Sequence, residues 1–165
     1  MFVLYKKELM SFLSSMIGYL TIVVFLIVNG LFLWVIGGDS NVFDYGVASP
    51  DGLFILAPWV FLFLIPAITM KMFAEEKKNG TIALLLTKPL TDYSIIIAKF
   101  LAGLSLVVVS VLPTLVYVIT IYQLGLPKGN LDLGGIMGSY IGLVLLGAIF
   151  VSIGVFCSSI TDNQI

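Results

Sequence analysis

The chain contains no arginine, no histidine and a single cysteine, and only 10% of its residues carry charge. Each shortage removes a class of function. With eight lysines against nine acidic residues and a net charge of −1, there is no clustered basic surface to neutralise nucleic-acid phosphates, so nucleic acid is not an expected partner. A lone Cys157 rules out an internal disulfide framework, and the lack of histidine removes the common zinc and haem ligand sets, so neither a metal nor a cofactor is expected. Its apolar neighbours Val155 and Phe156 predict a buried, inert thiol. Also missing are a G-x-x-x-x-G-K-[ST] phosphate loop, a G-x-S-x-G nucleophile turn and an H-E-x-x-H metal pair, so the chain is expected to have no catalytic site of its own.

What is abundant is apolar side chain: 60% of the 165 residues are hydrophobic and the mean hydropathy is +1.16. A soluble domain carries about a quarter charged residues, and a water-facing surface cannot be covered with so few. Charges are costly in hydrocarbon and collect at its edges, so their positions divide the chain. Four uncharged stretches run from Leu9 to Gly38, Gly52 to Met70, Phe100 to Pro127 and Leu133 to Thr161. All four exceed the roughly 18 residues that a spanning helix needs. The expected fold is therefore all-α: a polytopic integral membrane bundle, one domain over residues 1–165, with spans near 17–37, 53–73, 95–123 and 133–157.

Lysine sets the orientation, because short lysine-rich loops stay in the cytosol. Lys6 and Lys7 precede the first span, and Lys71, Lys77, Lys78, Lys88 and Lys99 lie between the second and third, leaving only Lys128 for the opposite side. Both ends of the chain are thus expected in the cytosol. The first apolar run is about twice the 7 to 15 residues of a secretory signal core and lacks a small-residue cleavage pattern, so it is read as a span. Ahead of it, Phe2, Tyr5, Leu9, Phe12 and Met16 recur at helical spacing, which predicts a short amphipathic helix in the interface that turns inward near Gly18.

Within the spans, Ser110, Thr114 and Tyr117 share one face beside Pro113. They read first as local repair of the proline break plus helix packing, and second as a face lining a substrate path. Gly134, Gly138 and Gly142 recur every fourth residue, which predicts close helix packing within the bundle in preference to a homodimer seam. Asn29 is expected to make an interhelical hydrogen bond, Lys99 to snorkel toward the interface, and the spans to hold no ionisable residue at depth.

The connection from 75 to 90 is the most patterned stretch outside the spans. Glu75, Glu76, Lys77 and Lys78 form a solvated extension of the second helix, ended by the permissive backbone of Gly80. Thr81 can cap a short helix that Pro89 stops, and Thr91 can cap the next one. Leu84, Leu85 and Leu86 in succession are more apolar surface than two turns can hide, so something must cover them: the bilayer, the base of the bundle or another protein.

The order of a Glu pair, Gly80, Thr81, the run Leu84 to Leu86, Thr87 and Pro89 resembles the signature of ABC-2 type transporter permeases. That resemblance implies a coupling helix seated on a separate ABC ATPase subunit, with Glu75, Glu76, Gly80, Thr81, Leu84, Leu85, Leu86, Thr87 and Pro89 at the interface. It further implies a second permease copy or paralogue as partner and a bacterial cytoplasmic membrane as location. The stretches SFLSSMIGYL, NGLFLWV, LAPWVFLFLIPAITM and SSITDNQI are similar to the branch of the family associated with gliding motility, with nitrous-oxide-reductase maturation permeases as near relatives. Ala83 stands where relatives often carry Glu. Family members usually have six spans, so four here implies that two more follow. The expected function is the membrane subunit of an ABC exporter, with a non-transporting scaffold of a motility or secretion assembly as the alternative and a channel or intramembrane enzyme as a remote third.

Overall fold

Backbone N–H and C=O groups inside hydrocarbon find no water, so a spanning chain satisfies them internally, and uncharged stretches this long resolve into helices. The computed structural model describes residues 1–44, 46–78, 80 and 91–160, with the side chains of 71, 75, 77 and 78 left aside. Its regular elements are all helical: α1 (Phe2–Ser14), α2 (Met16–Trp34), α3 (Asp51–Thr69), α4 (Lys71–Lys78), α5 (Asp92–Val111), a 3-10 turn (Leu112–Thr114), α6 (Leu115–Leu124) and α7 (Leu133–Ile160). Four segments are long and apolar enough to cross a membrane: Met16–Trp34, Asp51–Ala74, Asp92–Leu124 and Leu133–Ile160. Four crossings return the chain to the side from which it started.

The outer surface is apolar as well as the core, unlike that of a soluble bundle. On α7 the outward row Ile141, Leu145, Ile149 and Ile153 is exposed, while Leu143, Gly147, Val151, Gly154 and Ser158 face the bundle. Buried polar side chains include Thr21, Asn29, Thr69, Ser110, Thr114 and Ser158. An apolar coat around a core that includes polar groups suits lipid as solvent, where tails are as apolar as leucine and polar contacts help hold helices together. The core forms where α3 packs on α2 and α7, and α5 packs on α7. At the α2/α3 crossing the rings of Phe25 and Phe61 stack with centroids 4.9 Å apart.

Two glycines set how closely α7 approaches its neighbours. A Cβ on Gly147 would lie 2.7 Å from Val107 Cγ1, and one on Gly154 would run into Thr69 Oγ1. Nothing among the described residues lies within 4 Å of the Cβ positions of Gly138 or Gly142, and Gly134 meets only Asp132 of its own helix start. The expected packing role of Gly134, Gly138 and Gly142 is therefore corrected: the four-residue repeat lies on the open face of α7, and Gly147 and Gly154 make the close approach.

Helix α1 departs from a simple interfacial helix. It ends at Ser14, the chain bends at the extended Ser15, and the Ser15 hydroxyl caps α2 by accepting from Gly18 N at 3.1 Å. Phe2 and Met16, expected on its apolar stripe, are exposed, whereas Leu4 and Glu8 are buried against the bundle. Its main contact is with α5. There Tyr5 donates to Ser105 Oγ at 2.8 Å, because the Ser105 hydroxyl proton is already directed at Leu101 O.

Candidate functional site

Helices α1, α4 and α5 converge at the lysine-rich end of the bundle on four charged side chains. Lys99, on the second turn of α5, has no exposed surface. Its ammonium lies 2.9 Å from Glu76 Oε2 and 3.5 Å from Glu8 Oε2, donates to Met72 O at 2.7 Å, and sits 4.8 Å from the centroid of the Phe73 ring. The second oxygen of each carboxylate turns to Lys7, at 3.3 Å for Glu8 and 3.5 Å for Glu76. Among the described side chains lysine and glutamate thus alternate around a ring whose formal charges sum to zero. Burial draws the Lys7 pKa down, but the Glu8 and then the Glu76 carboxylates outweigh it and hold that ammonium above its ordinary value.

The ring corrects one expectation. Lys99 does not snorkel into water, because α1 and α4 cover its route and present Glu8 and Glu76 instead. It lies within the third apolar segment, near the lysine-rich end of that segment. A buried ammonium is tolerable only when its charge is compensated, which two carboxylates, a carbonyl and an aromatic face accomplish here.

A second junction lies beside the first. Between α3 and α4 the helix is interrupted at Met70. Ser158 of α7, fully buried, fills the gap: its hydroxyl accepts from Phe73 N at 3.0 Å and Ala74 N at 3.4 Å and donates to Met70 O at 2.8 Å. Helix α7 is thereby bonded to the root of the segment that leads into residues 75–90. Replacing Ser158 by Ala strands these buried amides and is expected to lower stability by about 1–3 kcal/mol. The readout is the melting temperature in detergent, and an unshifted melt would show that the hydroxyl is dispensable.

Of the residues expected at an ATPase interface, Glu76 and Gly80 are described in full. Glu76 is not a solvated side chain of a helix extension but a member of the charged ring. Gly80 follows α4 with φ +67°, a left-handed conformation suited to glycine. Glu75 lies in α4, its side chain outside the description, and Thr81, Leu84, Leu85, Leu86, Thr87 and Pro89 lie outside the described residues. Thr91 occupies the position before α5 but binds no backbone amide through its side chain; its hydroxyl pairs with Ser94 Oγ at 2.8 Å.

Ser110, Thr114 and Tyr117 come together as a seam between helices. Ser110 donates to Leu106 O and Thr114 to Val111 O, so neither takes the Val109 carbonyl that Pro113 leaves free. Thr114 in turn accepts from Tyr140 at 3.0 Å, and Tyr117 donates to Leu26 O of α2 at 3.2 Å. Each of these hydroxyls has a protein partner, and the face packs where the third crossing meets α2 and α7. Asn29 corrects another expectation: its amide donates within its own helix, to Phe25 O at 2.8 Å, rather than across to a neighbour. Cys157 is exposed on the lipid-facing side of α7, not buried.

Glu8, Lys7 and Ser158 were not among the expected site residues. One signal for Glu8 was available, its place four residues after Leu4 and so on the same buried stripe of α1. For Ser158 no local pattern distinguishes it from the exposed Ser152 and Ser159 of the same helix.

No curated protein and no solved structure matches the chain. Residues 40–164, by contrast, match the family described as ABC-2 family transporter protein, a stretch that includes Glu76, Lys99 and Ser158 and begins beyond Lys7 and Glu8. That match covers about three quarters of the sequence, and it agrees with four apolar crossings joined at a charged end. The chain belongs to the ABC-2 transporter family and is a multi-pass membrane permease component, for which the family implies an ABC ATPase as partner.

Proposed function

We propose that this subunit converts ATP-driven closure of a separate ABC ATPase into helix movement, and that the charged ring of Lys7, Glu8, Glu76 and Lys99 is the joint through which the movement passes. The supporting observation is position. Glu76 lies on the last turn of α4, at the start of the segment with the coupling signature, and it is ion-paired to α5 through Lys99 and to α1 through Lys7. A push on Glu75 to Pro89 from an ATPase groove would displace Glu76, and a buried ion pair that cannot be broken cheaply would carry α1 and α5 with it. Residues Glu75, Glu76, Gly80, Thr81, Leu84, Leu85, Leu86, Thr87 and Pro89 form the docking surface in this reading.

The subunit works as one of two permease copies or paralogues in a bacterial cytoplasmic membrane, with the lysine-rich end facing the cytosol, and supplies no catalytic site. Its service is substrate export or the drive of a gliding-motility or secretion assembly. Deleting Leu84 to Leu86 is expected to leave the protein in the membrane but to abolish recovery of a co-expressed ABC ATPase subunit on affinity purification. Undiminished recovery would reject the docking surface. Reconstituted vesicles separate export from scaffolding: a subunit that only holds an assembly together gives no substrate stimulation of ATP hydrolysis.

A further inference from the structure

Between the first turns of α5 and the last turns of α7 the bundle leaves a cavity of about 430 Å³, walled by Phe73, Ile95, Phe100, Val155 and Phe156 and bordered by Asp92. Phe156 and the neighbouring Ile96 are exposed at its mouth, so it opens sideways from the bundle rather than into the core. A groove of this size falls within the range of ligand pockets. The medium facing it, at the level of two spanning helices, is lipid.

Charge narrows the choice of lipid. Asp92 is the only charged side chain among the described residues of the cavity wall. Lys99 points away from this side of α5, into the ring with Glu8 and Glu76. Among the described residues the rim therefore offers a carboxylate and no cation, which repels a head group of net negative charge and attracts an ammonium. We infer that this groove binds one acyl chain of an amine-headed phospholipid, from the leaflet at the lysine-rich end, with its ammonium paired to Asp92. The inference stands apart from which side of the membrane that end faces and from any ATPase.

The test uses the whole chain in nanodiscs of phosphatidylcholine with a minor fraction of brominated-acyl phosphatidylethanolamine or brominated-acyl phosphatidylglycerol. Trp34→Phe and Trp59→Phe remove the native fluorophores, and Phe156→Trp places a reporter in the groove. At equal fractions the ethanolamine lipid is expected to quench about threefold more effectively than the glycerol lipid, as an exposed ion pair allows. Asp92→Asn is expected to erase the difference. A control reporter, Ile149→Trp on the outward row of α7, is expected to show no preference. Ile96→Trp serves as a second reporter where Phe156→Trp does not fold. Equal quenching by the two lipids in the groove, a preference that survives Asp92→Asn, or the same preference at position 149 would each overturn the site. So would quenching in the groove weaker than at 149 with both lipids, the result if residues 81–90 fill the space.

Discussion

Lys99→Met is expected to cost about 3–5 kcal/mol, because it removes the fully buried ammonium that pairs with the carboxylates of both Glu8 and Glu76. Against the 5–15 kcal/mol that typically holds a fold together, that loss should show as a sharp fall in folded protein recovered from membranes. The size follows from the asymmetry of buried pairs. Forming such a pair gains little over an apolar substitute, yet removing one partner abandons a desolvated charge. The triple variant Glu8→Gln, Glu76→Gln, Lys99→Met, which removes the charges together, should therefore recover most of the loss. Thermal melts followed by size exclusion in detergent give both numbers. A single variant as stable as the wild type would sink the claim that the ring is a sealed ionic joint. Double-mutant cycles should also give a larger coupling for Lys99 with Glu76, at 2.9 Å, than with Glu8, at 3.5 Å.

The second large effect separates the glycines of α7. Gly154→Val is expected to destabilise the bundle by about 3 kcal/mol, since its Cβ already collides with Thr69 and the added methyls have nowhere to go. Gly147→Val, facing Val107, should behave alike. Gly138→Val and Gly142→Val, with open space before them, should stay within about 0.5 kcal/mol of wild type when the isolated subunit is melted. Equal losses at all four positions would mean that helix propensity rather than contact governs the outcome.

These contrasts mark where sequence reasoning succeeds. Four crossings are legible because hydrocarbon penalises charge one residue at a time, so counting charged positions along the chain suffices. The ring is not legible in that way. Lys99 and Glu8 are 91 positions apart, and each taken singly reads as an edge residue; only the packing of α1 across α5 converts two edge charges into one buried pair. The glycines fail for a related reason. A repeat of four marks a flat strip on any helix, but which strip faces a neighbour depends on the rotation of α7 against α3 and α5, set by residues elsewhere. Gly147 and Gly154, seven apart, form an equally good strip that a four-residue search overlooks. Ser158 is farther out of reach, since its role depends on the break at Met70, and a serine near a helix end predicts no such partner.

The ring also bears on how the chain is made. A ribosome releases Glu8 first, Glu76 next and Lys99 last, so both acids are available before the base must leave water. Had the order been reversed, a lone ammonium would have entered the bilayer ahead of anything able to neutralise it. Synthesis in this direction means that the counter-ion on α1 already exists when Lys99 is translated some ninety residues later.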